Sequence, residues 1–294
     1  MQADYSHQTI NMPGSSKSLL IAEHASQRLV LVFAADTLTA RALQQELKHW
    51  LNLQDPIELF PDYEVLPYDK MPVHPDLVSE RVRILSQLPN MQSGVVICPI
   101  SSISHLTTTA NELLTRTFNL TVGENLNIDL LRERLVDAGY YAVSKVQNRG
   151  EFATRGGIVD IFPMGAPNPY RIDLFDDEVT GIRTFDIDTQ LSTEKVTKIA
   201  MQTAHEFPFD DDARLLFRKQ WRELFCAESQ KSPVYKAVKD AALIAGLEFY
   251  LPLFVNKTAT FFDYLPNNTQ IITIGDIKNE LKSITAEIEH RYQQ

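Results

Sequence analysis

Apolar positions in the first hundred residues repeat in two alternating rhythms. Leu29-Val-Leu-Val-Phe-Ala34 is a continuous apolar run, the pattern of a strand covered on both faces. Over 37–53 the apolar residues Leu43, Leu47, Trp50 and Leu51 then recur at helical spacing. Residues 17–25 also read as a helix, 57–60 as a short strand, and the Pro- and aromatic-rich 61–75 as an extended loop. A helix over 77–88 stops at Pro89, a strand over 95–98 stops at Pro99, and 102–116 is expected to be helical. Strands and helices alternating through short links predict a parallel α/β layer, in the manner of a nucleotide-binding half-domain.

Near 115–120 the rhythm changes. A strand over 118–122 precedes a helix capped by Asp129, carrying Leu131, Leu135 and Ala138 and stopping at Gly139. Residues 140–146 read as a strand. Three strands follow over 158–162, 171–175 and 181–187, with a turn at Asp176-Asp177. Strict alternation puts Ile172 and Leu174 on one face and Arg171, Asp173 and Phe175 on the other. A strand over 196–201 closes this α+β region, and the first rhythm returns near 202–206. The helix after Phe209 starts on three aspartates, which suit its dipole, and carries Phe217, Trp221, Leu224 and Phe225 as its apolar stripe. Ser232-Pro233 is an N-cap with proline in the first turn. Gln270-Ile-Ile-Thr-Ile274 reads as a buried strand, and Asp276 opens a last helix with no stop signal, as in the front part of something longer.

Composition narrows the function. The net charge of −10 argues against non-specific nucleic-acid binding, which depends on neutralising phosphates. No apolar run approaches the roughly 20 residues of a membrane span, and the polar N-terminus is not a signal peptide. Cys98 and Cys226, far apart in apolar surroundings, read as buried thiols of a cytoplasmic protein. The seven histidines are scattered, so no metal site is expected. His74, between prolines, reads as a loop residue without a partner.

Two stretches carry candidate chemistry. Asn11-Met-Pro-Gly-Ser-Ser-Lys-Ser18 fits a P-loop at Lys17 and Ser18 and keeps Gly14, but Asn11 and Ser16 stand where the pattern requires glycine. A side chain at Ser16 obstructs the wrap of backbone N–H groups around phosphates, and the alternative is a plain helix N-terminus. Leu174-Phe-Asp-Asp-Glu178 reads as a Walker B strand or, preferably, as a hairpin turn. The second stretch is the set Arg149, Phe152, Arg155, Arg171, Phe175 and Arg183. Arginine and aromatics favour protein–protein contacts, yet nearby carboxylates make ordinary surface ion pairs the preferred reading on chemistry alone.

The segments 150–165, 169–178, 185–190 and 204–208, together with 60–69 and 79–88, resemble the N-terminal part of the bacterial transcription-repair coupling factors (Mfd). They also resemble the excision-repair protein UvrB, which shares the element Arg155-Gly-x-x-x-Asp160-Ile-Phe-Pro163. The resemblance implies an α/β fold: a degenerate helicase-like parallel domain in two halves, 1–116 and 204–294, interrupted by an inserted α+β domain, 117–203. It implies docking of the insert onto UvrA through Arg155, Arg171 and Phe175, where Arg155 and Arg171 would meet UvrA carboxylates and Phe175 an apolar pocket. UvrB has a basic residue where this chain has Ala153. It also implies that the P-loop remnant binds no cofactor here. ATP and Mg, RNA polymerase and double-stranded DNA would belong to other parts of a full-length translocase, one of which masks the docking face. An alternative is a UvrB-like NTPase or DNA-binding enzyme.

Overall fold

A computed structural model describes residues 12–51, 56–69 and 71–293, with side chains throughout except at 227 and 228. In chain order the first elements are α1 (Ser16–Ala25), β1 (Leu29–Ala34), α2 (Thr37–Leu47), β2 (Ile57–Leu59), α3 (Pro75–Gln87), β3 (Gly94–Pro99) and α4 (Ala110–Thr115). Then come β4 (Phe118–Thr121), α5 (Ile128–Asp137), β5 (Tyr141–Ala142), β6 (Glu151–Arg155), β7 (Ile158–Ile161), β8 (Tyr170–Phe175), β9 (Glu178–Phe185), β10 (Ser192–Val196) and β11 (Lys198–Met201). The last are α6 (Asp211–Leu224), α7 (Pro233–Lys239), α8 (Leu251–Phe254), β12 (Gln270–Ile274) and α9 (Ile277–Tyr292).

The continuous apolar run forms the centre of a four-stranded parallel sheet of order β12-β1-β3-β2. Every residue of β1 is buried. Its alternation divides two cores: Val30, Val32 and Ala34 pack toward α1 and α2, whereas Leu29, Leu31 and Phe33 join the larger core on the other side. β12, from near the end of the chain, is the partner that completes the sheet. Between them lies a six-stranded sheet, β10-β9-β8-β7-β6-β5, with a two-stranded ladder of β11 and β4. The fold is thus α/β, with a parallel helicase-like sheet drawn from two distant stretches of chain and an α+β region between them.

Several expected elements differ. α2 ends at Leu47, so Trp50 is exposed rather than part of the buried stripe. The helix expected over 102–116 shrinks to α4 because serine and threonine hydroxyls compete for the backbone: Ser102 donates to the Pro99 carbonyl at 2.7 Å and Ser104 to that of Ser101 at 2.7 Å. α5 is capped by Asn127, not Asp129, and α3 starts at Pro75 on an N-cap from His74, whose Nδ1 accepts from the Asp76 N–H at 3.2 Å. The strand expected over 140–146 is only β5, and β9 begins three residues before Gly181. β12 is an edge strand with alternating exposure, not a buried one. Leu224 and Phe225 are exposed, and so is the neighbouring Cys226 thiol, whereas Cys98 lies in the core.

Candidate partner-docking face

β6 to β9 pair antiparallel, so their side chains sort onto two faces. Phe152, Val159, Ile161, Ile172, Val179 and Ile182 point into the main core. The outer face has three zones. At one end Val146, Ala153, Phe162 and Phe185 form a small apolar cluster. In the middle the opposed residues Asp160, Arg171 and Arg183 form a charged row across β7, β8 and β9, and Asp173 adjoins it. At the other end stand two hairpin tips, one turning at Gly156-Gly157 and one at Asp176-Asp177.

The tips are held side by side. The Leu174 N–H donates to the Gly157 carbonyl at 2.7 Å. A Cβ on Gly157 would lie 2.5 Å from the Leu174 carbonyl oxygen, so only glycine permits this approach. Phe175 projects from the second tip, 73% exposed, and Ile158 from the first, 38% exposed. Arg155, directly across from Ile158, is exposed and donates to the Ser144 carbonyl. At strand and pleat spacings, Arg155 and Phe175 lie roughly 12 Å apart.

Arg171 shares this face but is not free. Its Nε donates to Asp160 Oδ1 at 2.7 Å and its Nη2 to Oδ2 at 2.9 Å, a bidentate pair. Its Nη1 donates to the Gln190 carbonyl at 3.2 Å, and its guanidinium lies 5.1 Å from the Phe185 ring centre. The side chain is 20% exposed and Asp160 is buried. The hydrogen bonds to Asp160 raise the Arg171 pKa further. Arg183 pairs with Asp173 at 2.6 Å, and Arg149 with Asp76 at 2.8 Å.

The family model of the UvrB interaction domain matches residues 118–207, the stretch that contains this face. The transcription-repair-coupling factor of Haemophilus influenzae is 38% identical over 287 residues, covering 96% of this chain and 25% of that protein. The chain matches the UvrB-like N-terminal region of the transcription-repair-coupling factors. The Escherichia coli factor is 36% identical over 285 residues, with 96% of this chain and 25% of that protein covered. The Staphylococcus haemolyticus factor is 27% identical over 308 residues, covering 97% of this chain and 26% of that protein. The chain therefore spans about a quarter of the length of these relatives.

The three expected docking residues sit on one face, as alternation requires, but they differ in kind. Arg155 and Phe175 are at the exposed tips; Arg171 is a half-buried member of an internal ion pair. Charge reversal at Arg171 would therefore set two carboxylates against each other beside Phe185. Ile158 escaped the sequence reading, although its place next to Gly157 on the non-core alternation was a usable signal.

The acidic run resembling a Walker B end is the β8–β9 hairpin turn, with Asp176 at φ 51°. At the P-loop remnant, Asn11 lies outside the described residues. Gly14 has φ 56°, and α1 starts at Ser16 with Lys17 in its first turn. The Ser16 hydroxyl donates to the Pro13 carbonyl at 2.5 Å, and the buried Ser18 hydroxyl to the Ser15 carbonyl at 2.7 Å. Both hydroxyls are thus turned back onto the loop. Among the described residues, no cluster of three His, Cys, Asp or Glu could hold a metal, and no helix is long and apolar enough to cross a membrane.

Proposed function

We propose that this chain is the repair-recruitment module of a transcription-repair-coupling factor, docking UvrA through the tips of β6–β7 and β8–β9. The observation that carries this reading is the UvrB interaction domain match over 118–207, on whose outer face Phe175 stands exposed beside Ile158 and Arg155. An exposed aromatic flanked by an aliphatic residue and an arginine is the composition of an interface hot spot. Phe175 fills an apolar pocket on the partner and Arg155 meets a carboxylate at its rim. RNA polymerase and double-stranded DNA are partners of the remaining three-quarters of the full-length protein.

The division into 1–116, 117–203 and 204–294 belongs to the same proposal. It is supported by the pairing of β12 with β1 around the intervening sheet. ATP has no role in this module. The hydroxyls of Ser16 and Ser18 point into the loop's own carbonyls, which weighs against the alternative of a UvrB-like NTPase.

The test is calorimetric titration of purified UvrA into this protein. The parent should bind saturably. Phe175→Ala should weaken binding at least about tenfold, as for a central hot-spot aromatic, and Arg155→Glu should weaken it as well. No saturable binding by the parent, or unchanged affinity in both variants, would overturn the reading.

A further inference from the structure

Arg171 is the one expected docking residue whose surroundings argue against direct contact. A guanidinium has five N–H donors in a fixed fork. Three of its nitrogens are already engaged: Nε and Nη2 on Asp160, and Nη1 on the Gln190 carbonyl. Its charge is matched by a carboxylate only 7% exposed, and Phe185 backs its plane. Two N–H groups remain, but on a side chain only 20% exposed, and a partner carboxylate reaching them would share a charge that Asp160 already matches. Arg171 also lies four residues along β8 from Phe175, about 13 Å at strand rise.

The same contacts describe a staple. Asp160 is on β7 and Arg171 directly opposite on β8, so the pair locks the two strands in register. The register it locks is the one that brings Gly157 against Leu174, and so Ile158 and Phe175 side by side. Through its carbonyl, Gln190 ties the loop after β9 to the same guanidinium. The Gln190 amide then reaches the Ile187 carbonyl at 2.7 Å and the Val146 carbonyl at 3.5 Å. One side chain therefore joins β7, β8 and the 186–191 loop, and through that loop the segment before β6.

Resting on the docking reading above, we infer that Arg171 is a positioning residue: it acts through Asp160 to hold the two hairpin tips together, and the partner is touched by Arg155, Ile158 and Phe175. Positive charge at position 171 is then dispensable, provided the face stays packed. A buried ion pair exchanged as a whole for apolar residues is often tolerated, whereas removal of one partner is not.

The experiment is a double-mutant cycle read as UvrA affinity, well below each variant's unfolding midpoint, with far-UV circular dichroism as the check on folding. Arg171→Met leaves Asp160 buried and alone, and Asp160→Leu leaves Arg171 charged but unheld. Each should weaken binding about tenfold, and hydrogen exchange at the Leu174 amide should quicken. The double variant Asp160→Leu/Arg171→Met should return to within roughly threefold of the parent, a non-additivity expected only of a coupled pair. Loss in Arg171→Met and the double variant alike, with Asp160→Leu neutral or tighter, would mean direct contact and overturn the inference. Unchanged affinity in both single variants, with Phe175→Ala still weakened, would leave the docking reading standing and remove Arg171 from it. If Phe175→Ala also binds normally, the docking reading and the inference fall together.

Discussion

Glu206→Gln should destabilise this protein by about 2–4 kcal/mol, and the reason lies in Arg81 on α3. The Arg81 side chain is 1% exposed, and Glu206 on the return segment is its carboxylate partner at 2.5 and 3.3 Å. The guanidinium also donates to the carbonyls of Pro61 at 2.8 Å and Ser102 at 3.0 Å. It lies between the rings of Phe60 and Tyr63, at 4.3 and 4.1 Å from their centres. Glutamine conserves the shape and removes the countercharge. Arginine cannot shed its proton, so the variant buries an unmatched cation, a cost of about 3–5 kcal/mol for broken buried pairs. The two ring faces and two carbonyls remain and offset roughly 1 kcal/mol of that. Arg81→Met leaves the Glu206 carboxylate buried without its cation and should cost a similar amount. Urea unfolding followed by fluorescence of Trp50 and Trp221 and by circular dichroism measures both variants, with the m-value as the check that the same surface unfolds. A loss below about 1 kcal/mol in either variant would refute the reasoning.

The remaining predictions concern acid, the hairpin tips and nucleotide. Burial holds His105 and His205 neutral in the fold, with pKa values lowered to about 4 from 6.5. The unfolded chain therefore takes up protons first, so stability should fall as pH drops from about 6.5 toward 4, by up to roughly 3 kcal/mol per histidine. Urea midpoints that stay flat across that window would contradict this. Gly157→Ala sets a methyl 2.5 Å from the Leu174 carbonyl; the tips must separate, costing about 1–3 kcal/mol and weakening UvrA binding together. ATP, with or without Mg, should give no saturable heat on titration, and micromolar binding would restore the NTPase reading.

How much of this was legible depended on whether a residue's role was local. The continuous run of β1, the helical stripe of Leu43 and Leu47, the Ser232 cap, and the helix starts at Asp210 and Asp276 all depend on neighbours a few positions away, and all are present. The alternation in β8 placed Phe175 outward for the same reason. β12 looked like β1 because five apolar-rich residues do not say whether a second strand lies beyond them. Cys226 looked buried because Leu224 and Phe225 beside it are apolar, yet α6 turns both outward after Trp221. Arg81 and Glu206 are 125 positions apart, and nothing near either one distinguishes a core ion pair from two surface charges.

Arg171 shows where the two kinds of information meet. Its alternation said correctly that it shares a face with Phe175, and its residue type suggested contact. What neither supplies is the occupant opposite it: Asp160 sits in register across from it on β7, and its carboxylate accepts from both Nε and Nη2. Exposure then separates roles that composition had merged. Truncating Phe175, about three-quarters exposed, removes little buried surface and should leave the unfolding midpoint nearly unchanged while affinity falls. Removing Arg171 alone strands a buried carboxylate and must lower both. A face whose contact residues and positioning residues respond differently in stability can be dissected by measuring midpoint and affinity on the same variants. Proportional loss of the two at Phe175 would mean that the tip is part of the core after all.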